Sequence, residues 1–328
     1  MSNQQQQQQL QSLLSRLGFA KILRIEAIQT LWSGCGEIVR IHLDDAKISS
    51  IIIKNIDLSA TKNHPRGWNT DRSHLRKVKS YEVEQEWYSK WANQCDTYCR
   101  IPKCYFSTNK EAQKLILLED LNPSGYPKRR ESLEINEAKT VLKWLANFHA
   151  IFMNSTPDKL WEVGTYWHLS TRPDEWKEMT ESKLKSKALE IDQLLTNCQF
   201  KTIVHGDAKV ANFCFSNDYM SVAAVDFQYA GGGCGMKDVA YFLGSCLSEN
   251  ECERHETELL DYYFEQFTIA LSNKQSNLDA KLIEKEWRRL FPLAWADFTR
   301  FLVGWSPSHR KLNNYSEKMS EQALNLLD

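Results

Sequence analysis

Residues 205–212 read His205-Gly206-Asp207-Ala208-Lys209-Val210-Ala211-Asn212, and Asp226-Phe227-Gln228 begins fourteen positions after Asn212. The β-branched run Thr202-Ile203-Val204 leads into this segment and places Asp207 in a loop at a strand end. Asn212 opens the next strand, and a further one, Val222 to Val225, ends at Asp226. A carboxylate and a carboxamide five positions apart across such a loop can both face one point. Asp226 can bring a second carboxylate to it. Oxygen donors of this kind suit hard Mg²⁺, which keeps waters and takes phosphate oxygens as well. A free Asp beside a metal-bound phosphate can orient an attacking hydroxyl and accept its proton.

This island, Lys201 to Gly235, is expected to hold two or three very short strands inside a helical half. Glu134 to Met153 reads as a helix with Val141, Leu142, Leu145 and Phe148 on one face. Pro173 to Leu195 reads as a second, more polar helix, followed by Glu251 to Leu271, Asp279 to Val303 and Tyr315 to Leu327. The first half differs. Lys21 to Trp32, Glu37 to Leu43 and Lys47 to Ile56 are Ile- and Val-rich runs that read as successive antiparallel strands. Residues 59–74 read as a loop, Leu75 to Asn93 as a helix, and Pro102 to Ser107 and Lys114 to Glu119 as two more strands. Before them, the run Gln4 to Gln9 reads as frayed and leads into a short helix through Leu10, Leu13, Leu14 and Leu17. Two prolines and a glycine within Asp120 to Pro127 mark a linker. Strands first and helices later make an α+β chain: residues 1–118 an N-terminal lobe, 119–127 a hinge, 128–328 a C-terminal lobe.

The 328 residues suffice for two lobes without disulfide staples. Lys and Arg total 41 against 42 Asp and Glu, a balance that offers no general attraction to nucleic acid or anionic membrane. No apolar stretch is long enough to span a bilayer, and the N-terminus lacks the basic and apolar regions of a signal peptide. The nine cysteines are scattered, and Cys95, Cys99 and Cys104 form no metal-binding spacing, which reads as free thiols in the cytoplasm.

The order and spacing of H-G-D-x-x-x-x-N and D-F resemble the protein-kinase-like superfamily in its small-molecule branch, which includes aminoglycoside phosphotransferases, choline kinases and ecdysteroid-kinase-like proteins. Val225-Asp226-Phe227-Gln228 followed by Asp238-Val239-Ala240-Tyr241-Phe242-Leu243 is most similar to the ecdysteroid-kinase-like group. The resemblance implies a bilobal kinase-like fold with ATP in the cleft between lobes. It implies Asp207 as catalytic base, Asn212 and Asp226 as Mg²⁺ ligands, and Asp238 as a structural carboxylate. Lys209 stands where many protein kinases carry a lysine near the transferred phosphate. Gly34 and Gly36, between the first two strands, match the glycine loop, and Lys54, closing Ile51-Ile52-Ile53, matches the phosphate-binding lysine. Of Glu82, Glu84 and Glu86 one can face Lys54; periodicity puts both Glu82 and Glu84 beside the buried face, and the pattern S-Y-x-V-E selects Glu84. Leu117 to Leu121 matches the hinge, which implies adenine contacts at Glu119 and Leu121.

The departures bear on the substrate. Val39 stands where a protein kinase has its third loop glycine, Gln228 replaces the glycine of D-F-G, and only a short Gly231-Gly232-Gly233 turn precedes the next helix. No A-P-E motif follows. These losses argue against a protein substrate. The expectation is an ATP- and Mg²⁺-dependent phosphotransferase with a small-molecule hydroxyl as acceptor. The alternatives are a nucleotide-binding pseudokinase that acts as a scaffold and, with less support, a protein kinase. The stripe of Trp287, Trp295 and Trp305 reads more readily as core, and Asp297 and Arg300, three apart within it, as a structural ion pair, although an acceptor pocket fits the same residues; the acceptor's identity and the oligomeric state are left open.

Overall fold

The computed structural model describes residues 3–31, 36–57, 71–110, 113–274 and 277–328; Gly34 and most of the expected 59–74 loop lie outside them. The chain divides into two units, Met1–Ser89 with Pro102–Pro127, and Lys90–Ile101 with Lys128–Asp328. Residues 90–101 thus belong with the helical half, although they precede two strands of the first unit.

In the first unit, the β-branched runs form strands β1 (Ile22–Thr30), β2 (Gly36–Leu43) and β3 (Ser50–Asp57), joined by β4 (Cys104–Lys110) and β5 (Gln113–Glu119). The described strands make one antiparallel sheet in the order β1-β2-β3-β5-β4. The period-two alternation of Val39, Ile41 and Leu43 against Ile51 and Ile53 puts one face into a core with Leu117 and Leu14. Leu14 comes from helix α1 (Asn3–Arg16), which the Gln11 side chain ties to β1 by accepting from the Ile22 amide at 2.8 Å. The glutamine run is helical, where the sequence reads as frayed; Gln is a good helix former and here extends a packed helix. Helix α2 (Asp71–Glu86) starts ahead of the expected Leu75. It does not run on to Asn93 as a regular helix: Trp87–Trp91 is a π-helical turn and Ala92–Gln94 a 3₁₀ turn.

In the second unit, helix α3 (Ile135–Ile151) opens on a reciprocal cap between Glu134 and Glu137 and buries Val141, Leu142, Leu145 and Phe148. The expected helix from Pro173 to Leu195 is three pieces, α4 (Pro173–Glu178), α5 (Lys183–Ser186) and α6 (Ala188–Thr196). Met179 is extended (φ −61°, ψ 139°), and the Ser182 hydroxyl accepts from the Lys185 amide to start a new helix. The island holds four three-residue strands, β6 (Thr202–Val204), β7 (Phe213–Phe215), β8 (Val222–Ala224) and β9 (Gly231–Gly233), paired β6 with β9 and β7 with β8. The expected glycine-rich turn is therefore β9, and its composition has a steric cause: a Cβ at Gly231 would overlap the Trp161 carbonyl. Helices α7 (Met236–Cys246), α8 (Glu249–Lys274), α9 (Ala280–Trp305) and α10 (Asn314–Asn325) complete the unit. No described helix is long and apolar enough to cross a membrane.

Candidate active site

Asp238 in the first turn of α7 is fully buried and organises the loop after β6. Its carboxylate accepts from the His205 amide at 2.5 Å and the Gly206 amide at 2.9 Å, and His149 of α3 meets it at 3.1 Å. Gly206 sits at φ +78°, where a side chain would meet the Tyr229 carbonyl, so only glycine fits. His205 then bridges two strands. The Asp207 amide donates to Nδ1 at 3.3 Å, which leaves Nε2 protonated to donate to the Val225 carbonyl at 3.0 Å.

Asp207 is 6% exposed. Its Oδ2 accepts from Lys209 Nζ at 2.9 Å and from Asn212 Nδ2 at 3.1 Å, and its backbone carbonyl accepts from the same amide nitrogen at 2.7 Å. Two bonds to Nδ2 fix the orientation of the Asn212 carboxamide and turn its Oδ1 away from Asp207. Asn212 closes a 3₁₀ turn rather than opening a strand; its carbonyl accepts from the Val225 amide at 2.9 Å, beside Asp226. Asp226 takes the left-handed conformation (φ 69°), costly for a residue with a side chain and tolerated best by Asn and Asp. Burial raises the Asp207 pKa, Lys209 opposes the rise, and Asp226 adds to it. Burial pulls Lys209 down, yet the two carboxylates hold it above its ordinary value. The second unit therefore joins Asp207, Lys209 and Asn212 by direct hydrogen bonds and places Asp226 within electrostatic reach of Asp207 and Lys209. Among the described residues no three His, Cys, Asp or Glu side chains form a metal cage, so an ion here would take an amide and a carboxylate oxygen plus outside ligands.

In the first unit, Lys54 lies on β3 between Ile38 of β2 and Ile116 of β5. Its ammonium meets Glu84 Oε2 at 2.6 Å, with both side chains buried. Glu82 pairs instead with Lys114 at 3.2 Å. Gly36 begins β2 at φ +128°, flush against the Asn55 carbonyl. The Glu119 amide donates to the Lys103 carbonyl at 2.8 Å and its carboxylate accepts from the Lys103 amide at 2.9 Å. The Leu121 carbonyl accepts from the Tyr126 amide at 2.8 Å. Asp120, at the start of the expected linker, is buried and bound by Arg40 and the Ser50 hydroxyl, each at 2.6 Å. Those bonds, led by the one from Arg40, overcome burial and hold its carboxyl below the usual range.

The aromatic stripe of α9 divides. Trp287 is core, donating to the Phe200 carbonyl at 3.0 Å. Asp297 and Arg300 form a buried ion pair at 2.8 Å, joined by the Trp167 indole at 3.0 Å. Trp295 and Phe298 line a cavity bounded also by Gly244, Lys311, Tyr315 and Ser316, while Trp305 is half-buried and stacks on Phe301. Lys311, a lysine between helices, carries no sequence signal for a site role, and Tyr241 carries only its place in the Asp238–Leu243 pattern.

Residues 35–166 match the model of the ecdysteroid kinase-like family, and residues 168–328 match a model described as uncharacterized oxidoreductase dhs-27. The described strands of that second stretch are short antiparallel ladders, without the parallel βαβ unit of a dinucleotide-binding fold. No curated protein sequence matches the chain. Among solved structures, a choline kinase from Cryptosporidium parvum Iowa II aligns with a TM-score of 0.54 at 13% identity, over 92% of this chain and 88% of that one. A microcompartment-associated aminopropanol kinase aligns with a TM-score of 0.50 at 14% identity, over 96% and 94%. The GDP complex of aminoglycoside 2'-phosphotransferase-IIIa gives 0.50 at 8%, over 98% and 99%. An antiparallel sheet carrying a buried Lys–Glu pair, a helical unit carrying the His205–Asn212 loop, and these neighbours show that the chain shares the fold of these small-molecule kinases, and residues 35–166 are similar to the ecdysteroid kinase-like family.

Proposed function

We propose that the chain is an ATP- and Mg²⁺-dependent phosphotransferase whose acceptor is a hydroxyl of a small molecule. The observation that carries this reading is the Asn212 carboxamide: its nitrogen donates to both the backbone carbonyl and Oδ2 of Asp207, which leaves its oxygen available to a cation beside Asp226. Residues Asn212 and Asp226 fit Mg²⁺ by donor chemistry, and an ion there would neutralise charge on the transferring phosphate. Asp207 orients the acceptor hydroxyl and takes its proton while the acceptor oxygen bonds to the γ-phosphorus and the bond to the ADP oxygen breaks. A carboxylate whose pKa is raised by burial is a better base than an exposed one, and Lys209 opposes the rise. Lys209 also offers a cation to the moving phosphoryl group.

In the first unit, Lys54 would hold the α- and β-phosphates with its ammonium fixed by Glu84, and Gly36 would border the phosphates at the start of β2. At the hinge, the Glu119 amide is engaged by Lys103, so adenine reads the Glu119 carbonyl and the Leu121 amide. The choline and aminopropanol kinases among the structural neighbours act on alcohols by name, which supports a hydroxyl acceptor.

The test is ATP consumption with Mg²⁺ across hydroxylated metabolites, sterols and amino alcohols, with Asp207→Asn run beside the wild type. The variant should bind Mg·ATP normally and turn over ~10²–10⁴-fold more slowly. It should melt as the wild type does, because asparagine has the same shape and keeps an oxygen for Lys209 and Asn212. Wild-type turnover in the variant would refute the base assignment. ATP binding without transfer to any acceptor would favour the scaffold reading.

A further inference from the structure

Lys311 is a cation within electrostatic reach of Asp207 and Lys209 that the reaction above does not use. It lies between α9 and α10, with its ammonium 5.0 Å from the centre of the Tyr241 ring and 5.4 Å from that of Phe298. No ion pair or side-chain hydrogen bond engages that ammonium among the described residues; its backbone alone is bonded, to His309 and Ser316. It lines the cavity among α7, α8, α9 and α10 with Gly244, Phe298 and Ser316, and Glu249 of α8 belongs to the same lining.

Tyr241 connects this cavity to the reacting groups. Its ring lies under Lys311, its hydroxyl is 3.3 Å from that of Tyr166, and its phenol feels the Asp207 carboxylate. Asp207 and Lys209 in turn act on Lys311, one attracting and one repelling, so all of these groups are within electrostatic reach of each other. A pocket for a cationic alcohol would offer its aromatic faces to the ligand's ammonium. Here two such faces are already covered by the protein's own lysine, and a second cation would meet like charge.

We propose that Lys311 selects the acceptor: with the acceptor hydroxyl at Asp207, Lys311 receives a carboxylate or equivalent anionic group of the same small molecule and turns away amino alcohols. This rests on the phosphotransferase reading and adds the acceptor's charge class to it.

Three probes of one skeleton test it: 4-(hydroxymethyl)benzoate, 4-methylbenzyl alcohol and 4-(aminomethyl)benzyl alcohol, titrated by calorimetry into the full chain loaded with Mg²⁺ and a non-hydrolysable ATP analogue. The acid should bind best and the amine worst. Lys311→Met should weaken the acid by about tenfold or more and leave the neutral alcohol unchanged. Lys311→Glu should reverse the order of acid and amine, and Glu249→Gln should keep it. Undetectable binding of the acid, equal binding of acid and amine, or an unchanged acid affinity in a folded Lys311→Met protein would overturn the proposal. Failure of the wild type to bind the nucleotide analogue would instead sink the phosphotransferase reading on which it rests.

Discussion

His205 shows how one neutral imidazole can join two chemical loops. Its Nδ1 accepts from the amide of Asp207 and its Nε2–H donates to the carbonyl before Asp226, so the proposed base and the proposed metal ligand share a brace. The ring is fully buried and lies 4.6 Å, centre to centre, from Phe227. His205→Ala should therefore lower both melting temperature and turnover, because a buried carbonyl and a buried amide lose partners worth about 1–3 kcal/mol each. Asp207→Asn should lower turnover alone. Differential scanning calorimetry beside an ATP-consumption assay separates the two; a His205→Ala protein with wild-type melting would show that the brace carries no stability. Asp226 makes a sharper case because its backbone is left-handed. Asparagine tolerates that conformation, so Asp226→Asn should fold as the wild type does while losing Mg²⁺-dependent nucleotide binding, since Mg²⁺ favours a hard anionic ligand. Equal nucleotide affinity with and without Mg²⁺ in both proteins would leave Asp226 a structural residue.

Strand β3 and helix α2 meet through the Lys54–Glu84 pair, which is buried on both sides. A buried ion pair is a poor source of stability, but removing one partner leaves a charge without water, at a cost of about 3–5 kcal/mol. Lys54→Met should then lower stability as well as productive ATP use, and Lys54→Met with Glu84→Leu should recover much of the stability and none of the activity. Urea denaturation and turnover of the single and double variants check this; recovery of activity in the double variant would remove Lys54 from phosphate binding. The elements differ in how far the sequence announces them. The first-unit strands are legible because Ile and Val alternate with polar residues, and the choice of Glu84 follows from the helix pattern around it. The break between α4 and α5 is not, because it depends on Ser182 capping a new helix in a stretch of helix formers. Strand β9 is hidden for the opposite reason: glycines carry no strand signal, and only the Trp161 backbone against which they pack requires them. The loop of Asp207 and Asn212 was legible as a constellation, whereas Lys311 becomes a candidate only through the rings of Tyr241 and Phe298, which distant segments supply.

At the scale of the whole molecule, a near-neutral chain can still hold locally costly charges, and Lys311 is one whose cost should be visible in global stability. Burial pulls its pKa to about 8, Arg310 and Lys209 push the same way, and Cys246 and Asp207 oppose them; Glu249 faces the same cavity. In the unfolded chain a lysine titrates near its ordinary value of about 10.4. The folded state therefore bears a penalty wherever the lysine is charged in both states, below about pH 8. The penalty fades as pH rises through the folded pKa and is gone once the unfolded lysine also loses its proton. Lys311→Met keeps a long apolar side chain over Tyr241 and Phe298 and removes the charge. It should be more stable than the wild type at pH 7, by on the order of 2 kcal/mol. The margin should shrink between pH 8 and pH 10, and melting curves of both proteins across that range measure it. A margin that stays constant with pH would assign the gain to packing rather than to charge. A margin of the expected form would mean that the fold keeps a destabilising cation beside Asp207, as expected where selection acts on binding at the cost of stability.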